Sequence, residues 1–267
     1  MIDRRKFVAG AAAILAGLTL PLVGIRPAQA KTFRGVSYGA SKLDIYTPDA
    51  DNAPVIVYVH GGAWRLGSRS EGRAVADSFT ARGYIVVSID YSLTASAERQ
   101  AREVAQAVAW VHGNISKYGG NPDRIALMGH SAGCHLASLA ALSGLAPGVK
   151  ALVANDTGAY DIQYLADIHG GHLPILYAAL NKPAKWRNWS PISYAAGANG
   201  IPVLVAWSGA EFRRKVSTRF ADALAAAGHP VTRFAGNGYS HVSIRGGMGK
   251  TGDPLNTAIA NFLAANL

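Results

Sequence analysis

Continuous apolar runs alternate with helical patterns along most of this chain. Residues 55–59 read Val-Ile-Val-Tyr-Val, as expected of a strand covered on both faces. Residues 84–89, 125–128, 151–155 and 203–207 have the same character, and 231–235 is a shorter, more polar version. Two alternating segments, 32–37 and 42–47, predict an opening hairpin. Between the runs, Val104, Val108, Val111 and Ile115 recur at spacings of three and four, which predicts a helix from 98 to about 116. Further helices are expected over 132–143, over 215–227 with Gly228 as the stop, and over 256–266. Strand–helix alternation predicts an α/β fold, a mostly parallel sheet flanked by helices.

Two segments lie outside that alternation. Residues 1–30 carry paired arginines, Arg4 and Arg5, then a Gly/Ala/Leu-rich stretch from 8 to about 25, then Ala28-Gln29-Ala30. This reads as a twin-arginine signal peptide cleaved before Lys31, with an uncleaved anchor as the alternative. The expected location is periplasmic or secreted, with membrane contact only during export. Residues 160–201 interrupt the second half with Pro174, Pro183, Pro191 and three aromatics, Tyr177, Trp186 and Trp189. They are either a lid over the site or ordinary helices and loops covering the sheet.

Composition narrows the partners. The whole chain of 267 residues has a formal charge of +10. Without residues 1–30 the excess falls to +7, because four basic residues and one acidic residue leave. The remaining 237 residues suffice for one α/β domain, 31–267. Their basic residues are scattered, with no run longer than Arg213-Arg214-Lys215, so nucleic acid is not expected as a partner. The single cysteine, Cys134, excludes an intramolecular disulfide and reads as a small buried packing residue.

The chemistry enters at Gly129-His130-Ser131-Ala132-Gly133, which joins the 125–128 run to an alanine-rich helix. This is a nucleophile elbow, in which small residues let a cramped turn expose the Ser131 hydroxyl. A second match, Gly35 to Gly39 around Ser37, runs into another strand pattern and carries no such reading. In open parallel sheets the working edge lies at the carboxyl ends of the strands. His241 follows the 231–235 strand through a glycine-containing loop, so it is the expected general base. His229 precedes that strand and belongs at the opposite edge. Glu211 follows the 203–207 strand and is the expected acid, ahead of Asp156, Asp161 and Asp222. Oxyanion N–H groups are expected from Ala132 and from the loop His60-Gly61-Gly62-Ala63-Trp64 after the 55–59 strand. His169-Gly170-Gly171 follows no strand and is not a second such loop. The pocket is expected to be lined by His60, Gly61, Trp64 and His130, with Trp64 walling the acyl side. Neither His130 with His135 nor His169 with His172 has a third ligand at metal-site spacing, so no metal is expected.

These motifs, together with Asp90-Tyr91-Ser92-Leu93 and Asn188-Trp189-Ser190-Pro191-Ile192, resemble the α/β-hydrolase superfamily over about 38–267. The nearest branch is that of carboxylesterases related to hormone-sensitive lipase, together with kynurenine formamidases. The resemblance implies an eight-stranded, mostly parallel sheet with one antiparallel edge strand. It implies hydrolysis through an acyl-enzyme without a cofactor. It carries nucleophile, base and acid onto Ser131, His241 and Glu211, and the oxyanion donors onto Gly62, Ala63 and Ala132. The acid in this superfamily is more often Asp, where this position offers Glu. The expected function is an exported serine carboxylesterase acting on small-molecule esters of modest acyl size. The alternatives are an arylformamidase and a hydrolase-fold protein that binds without catalysis.

Overall fold

The computed structural model describes residues 31–39, 41–197 and 200–267. The signal-peptide reading therefore lies outside the described residues. Eight strands form one sheet: β1 (Thr32–Tyr38), β2 (Ser41–Tyr46), β3 (Ala53–Val59), β4 (Ile85–Ile89), β5 (Gly120–His130), β6 (Val149–Asn155), β7 (Val203–Ser208) and β8 (Val231–Gly236). Their spatial order is β1-β2-β4-β3-β5-β6-β7-β8. Strands β3 to β8 are parallel, and β2 runs against both neighbours. The one reversed strand is thus second from the edge, a correction to the edge position expected. The hairpin returns β1 to the common direction and leaves it at the rim.

The strand residues explain why both faces are covered. Val55, Val57 and Val59 enter one apolar cluster, and Ile56 and Tyr58 enter the other, as the two-residue period requires. The first cluster is closed by α2 (Ala97–Asn114), α3 (Ala132–Leu142) and α6 (Glu211–Ala226). The second is closed by α1 (Arg73–Thr80), α7 (His241–Gly249) and α8 (Pro254–Asn266). Helix α7 contains Gly246, Gly247 and Gly249, poor helix formers, and its tertiary packing overrides that propensity. A Cβ on Gly249 would lie 2.5 Å from the Ala74 carbonyl carbon, so the glycine lets α7 press against α1.

The segment 160–201 holds α4 (Ile162–Asp167), α5 (Trp186–Trp189) and three 3-10 turns. Tyr160, Leu165, Tyr177, Leu180, Trp186 and Trp189 are buried in the first cluster, and Tyr160 stacks on Phe220 at 4.1 Å. Most of the segment therefore covers the sheet. Among the described residues of the segment, the exposed large aliphatic side chains are Ile175 and Leu176, both in the turn Ile175–Leu180.

Candidate active site

Ser131 sits between β5 and α3 with φ 55° and ψ −121°, outside the regions open to most L-residues. The flanking glycines make that turn possible by absence. A Cβ on Gly133 would lie 2.1 Å from the Val59 carbonyl oxygen, and one on Gly129 2.4 Å from that of Gly133. The Ser131 N–H is held by the Asn155 carbonyl at 3.0 Å. Cys134, in the first turn of α3, is fully buried against Tyr160 at 3.2 Å, and burial pushes its thiol up to about 12. It is a packing residue.

His241 faces Ser131. Its Nε2 lies 3.0 Å from Ser131 Oγ, and its Nδ1 lies 2.7 Å from Asp156 Oδ2. It opens α7, where Ser240 caps the helix and exchanges hydrogen bonds with Ser243, which fixes the backbone that carries the imidazole. His229 is elsewhere, buried before β8 with its ring nitrogens on the carbonyls of Ile201 and Ala195. The two histidines thus stand apart, His241 beside Ser131 and His229 ahead of β8.

The acid expected from sequence is corrected here. Glu211 does not approach His241: its side chain is 70% exposed and pairs with Lys215 at 2.9 Å, one turn along α6. Only Gly209 and Ala210 separate β7 from that helix, so the chain turns away before a side chain can reach across. The space over the end of β7 is taken by the loop after β8, whose Tyr239 carbonyl accepts from the Gly209 N–H at 2.9 Å.

Asp156 stands in the place of Glu211. Strand register puts it there: His130 pairs with Asn155 across β5 and β6, so the next residue of each strand, Ser131 and Asp156, emerge side by side. Asp156 has φ 59° and is wholly buried. Its Oδ1 accepts from the Ser208 N–H at 2.8 Å. Arg213, itself buried, donates to the Asp156 carbonyl at 2.8 Å and holds its guanidinium 3.7 Å from Oδ2. Burial pushes the Asp156 carboxyl up. The hydrogen bond from His241, the Arg213 charge and the Ser208 N–H outweigh it and hold the group below its ordinary value. Asp161 caps α4 and pairs with Arg219, and Asp222 pairs with Arg233 on the surface.

The loop after β3 bends through three consecutive positive-φ residues, Gly62, Ala63 and Trp64, at 112°, 49° and 62°. Among the described residues, the N–H groups of Gly62 and Ala63 donate to no protein acceptor, and that of Ala132 lies in the open first turn of α3. Gly61 approaches the elbow so closely that a Cβ would lie 3.3 Å from Ser131 Cβ. A cleft of about 270 Å³ opens beside these groups, lined by Gly61, Gly62, Ala63, Leu66, His130, Ser131, Leu176, His241, Val242 and Arg245.

Two residues expected in the pocket are buried beneath it. Trp64 is 2% exposed and walls nothing. Its indole donates to His135 Nδ1 at 3.1 Å, and its carbonyl accepts from Gln100 at 2.9 Å. Because an indole N–H only donates, His135 carries its proton on Nε2 and gives it to the Trp189 carbonyl at 2.7 Å. This chain ties the oxyanion loop to the elbow helix and to α5. His60 stacks on Tyr91 at 4.3 Å, with Nδ1 2.7 Å from the Gly61 carbonyl oxygen. His130 does line the cleft, 4.6 Å from the His241 ring. Burial and that neighbour press its pKa down to about 3, so it adds no charge near neutral pH. The described residues hold no cluster of three or more potential metal ligands, and none of their helices is long and apolar enough to cross a membrane.

Known proteins resemble this arrangement. The BD-FAE family model matches residues 43–172, which include Ser131 and Asp156. Esterase LipQ of Mycobacterium tuberculosis is 37% identical over 175 residues, 57% of this chain and 42% of LipQ. Isoprenylcysteine alpha-carbonyl methylesterase ICME of Arabidopsis thaliana is 36% identical over 116 residues, 41% of this chain and 27% of that protein. The chain thus spans less than half the length of these curated relatives. A thermostable esterase of Pseudomonas putida superposes with a TM-score of 0.70 at 21% identity, over 90% of this chain and 83% of that one. The fold is the α/β-hydrolase fold.

Proposed function

We propose that this protein is an exported serine hydrolase that cleaves carboxylic esters of modest acyl size through an acyl-enzyme. The observation that carries the reading is the Ser131–His241–Asp156 array, at 3.0 and 2.7 Å, opening on a cleft edged by free N–H groups. Esterase relatives support the bond class, and the paired arginines at the start of the chain support export.

In this mechanism His241 Nε2 takes the Ser131 proton as Oγ bonds to the ester carbonyl carbon. Asp156 stays ionised, holds the Nδ1 proton toward itself and balances the imidazolium. The carbonyl oxygen becomes an alkoxide facing the N–H groups of Gly62, Ala63 and Ala132. His241 then returns the proton to the departing alcohol oxygen, and the C–O bond breaks. Water repeats the sequence on the acyl-enzyme and frees the acid. No step calls for a cofactor.

A fluorophosphonate probe tests the nucleophile, and p-nitrophenyl acetate beside N-formylkynurenine tests the bond. Labelling that disappears in Ser131→Ala, with ester turnover far above formamide turnover, is the expected result. Equal labelling of both proteins refutes the reading, and dominant formamide turnover turns it into an arylformamidase.

A further inference from the structure

Five large hydrophobic side chains are exposed among the described residues: Leu66 at 68%, Leu93 at 37%, Ile175 at 91%, Leu176 at 46% and Val242 at 70%. Scattered singly they would need no explanation. Leu66, Leu176 and Val242 instead border the same cleft as Ser131, and Ile175 adjoins Leu176 in the chain. They arrive from three separate segments: the oxyanion loop, the turn Ile175–Leu180 and the first turn of α7. The charged groups at that cleft do not offset this apolar character. Arg245 is paired with Glu71 at 2.9 Å, and His130 is neutral near neutral pH.

Cleft size says what stays outside. About 270 Å³ lies just below the usual range for sites that enclose a drug-sized molecule. It can seat a scissile ester and a short acyl group, and a larger substituent must lie on the rim. Proton transfer says which half of the ester that is. His241 Nε2 must reach the departing oxygen, so the alcohol leaves on the His241 side. Val242 is the next residue, and Val242 and Arg245, three apart on α7, share a face of the helix that lines the cleft.

Building on the esterase reading, we propose that the site selects short-acyl esters of bulky apolar alcohols, with the alcohol body lying across Val242, Leu176, Leu66 and Ile175. The body belongs to a single dissolved ester molecule.

Two substrate series on the purified full-length protein test this, each followed by pH-stat from below to above its solubility limit. One varies the alcohol: ethyl, hexyl and 1-naphthyl acetate. The other varies the acyl chain: p-nitrophenyl acetate to octanoate. Each methylene fully covered contributes a factor of about 4, so kcat/KM is expected to rise at least about tenfold from ethyl to hexyl acetate. Val242→Ser and Leu176→Ser should lower the hexyl-to-ethyl ratio several-fold while the acyl profile keeps its shape. Ile175→Ser, at a side chain almost wholly in solvent, repeats the test where folding is not at stake. A flat alcohol series overturns the proposal, as does an unchanged ratio in the variants or a shift in the acyl profile instead. A hexyl advantage that appears only above the solubility limit overturns it in favour of docking to an aggregate surface. A dimer that Val242→Ser dissociates overturns it in favour of self-association. If the native protein neither cleaves any ester nor labels with fluorophosphonate, the esterase reading fails. If it does both and the alcohol series is flat, only the rim proposal fails.

Discussion

Asp156→Asn and Glu211→Gln separate the two acids by a wide margin. At position 156 the change preserves shape, but its single oxygen can serve the Ser208 N–H or face His241, not both. It puts a neutral amide where Oδ2 now accepts a hydrogen bond from His241 Nδ1, 2.7 Å away. If the amide presents its NH2, the imidazole moves its proton to Nε2, and a donor then faces Ser131 Oγ where an acceptor is needed. If the amide presents oxygen, the tautomer survives but the imidazolium loses its counter-charge. Either way the expected loss in kcat is about 10⁴-fold, on the order of 5 kcal/mol of transition-state stabilisation. Folding suffers too. Arg213 is buried beside Asp156, and breaking a buried pair costs about 3–5 kcal/mol. At position 211 the side chain is in solvent and meets only Lys215, so Glu211→Gln should stay within about twofold of the parent. Steady-state hydrolysis of p-nitrophenyl acetate measures both, with circular dichroism to confirm that the Asp156 variant is folded. A tenfold loss in Glu211→Gln, or more than a tenth of parental kcat in Asp156→Asn, would refute the assignment.

Three further outcomes follow from the same geometry. His135→Ala removes the link between Trp64 and Trp189. It should lower kcat by about 10- to 100-fold with little change in KM, short of the full loss of one oxyanion donor; an equal change in both constants would count against a loop-positioning role. Gly133→Ala drives a methyl into the Val59 carbonyl oxygen and should yield insoluble or strongly destabilised protein; a soluble, active variant would show that the elbow has slack. Acid should destabilise the fold well above the range in which carboxylates titrate. Burial lowers His130 to about 3 and His135 to about 4, both below the unfolded value near 6.5. The unfolded chain therefore binds protons first, and stability that is complete above pH 6.5 is lost as pH falls, by about 2 kcal/mol per histidine at pH 5. Urea midpoints at pH 7 and pH 5 measure this, and equal midpoints would refute it.

Much of the site was legible because its parts are local. Ser131, with the glycines around it, is written in five consecutive residues, and the glycine loop at 60–64 in another five. His241 followed from a one-dimensional rule about which end of a strand a residue occupies. The acid resisted because it depends on neighbourhood in the sheet, and chain order does not give that. In the sequence Asp156 ranks behind Glu211 because it runs directly into the proline- and aromatic-rich segment 160–201. Yet β6 lies directly beside β5, and the first residue past each strand meets the other. Two signals against Glu211 were present in the sequence. Only three residues part it from the end of the 203–207 run, and Lys215 follows at i+4, the spacing of a solvated helix face. The burial of Trp64 and Arg213 was not legible, because an aromatic beside a glycine loop, or an arginine in a basic triplet, reads equally well as exposed.

Placing the acid on β6 also explains what α6 does. With no carboxylate to deliver from the end of β7, the helix can begin at once, and its first turn is free to serve another group. Arg213, two residues after Glu211, turns inward where Glu211 turns outward. With the hydrogen bond from His241, it supplies the positive charge that holds a wholly buried carboxylate below its ordinary pKa. The helix after β7 thus contributes to the site with a cation that supports the acid, where the sequence led us to expect the acid itself. Gly209→Glu could not restore an acid in an Asp156 variant, because a Cβ at that position would lie 2.5 Å from the Asn237 carbonyl oxygen.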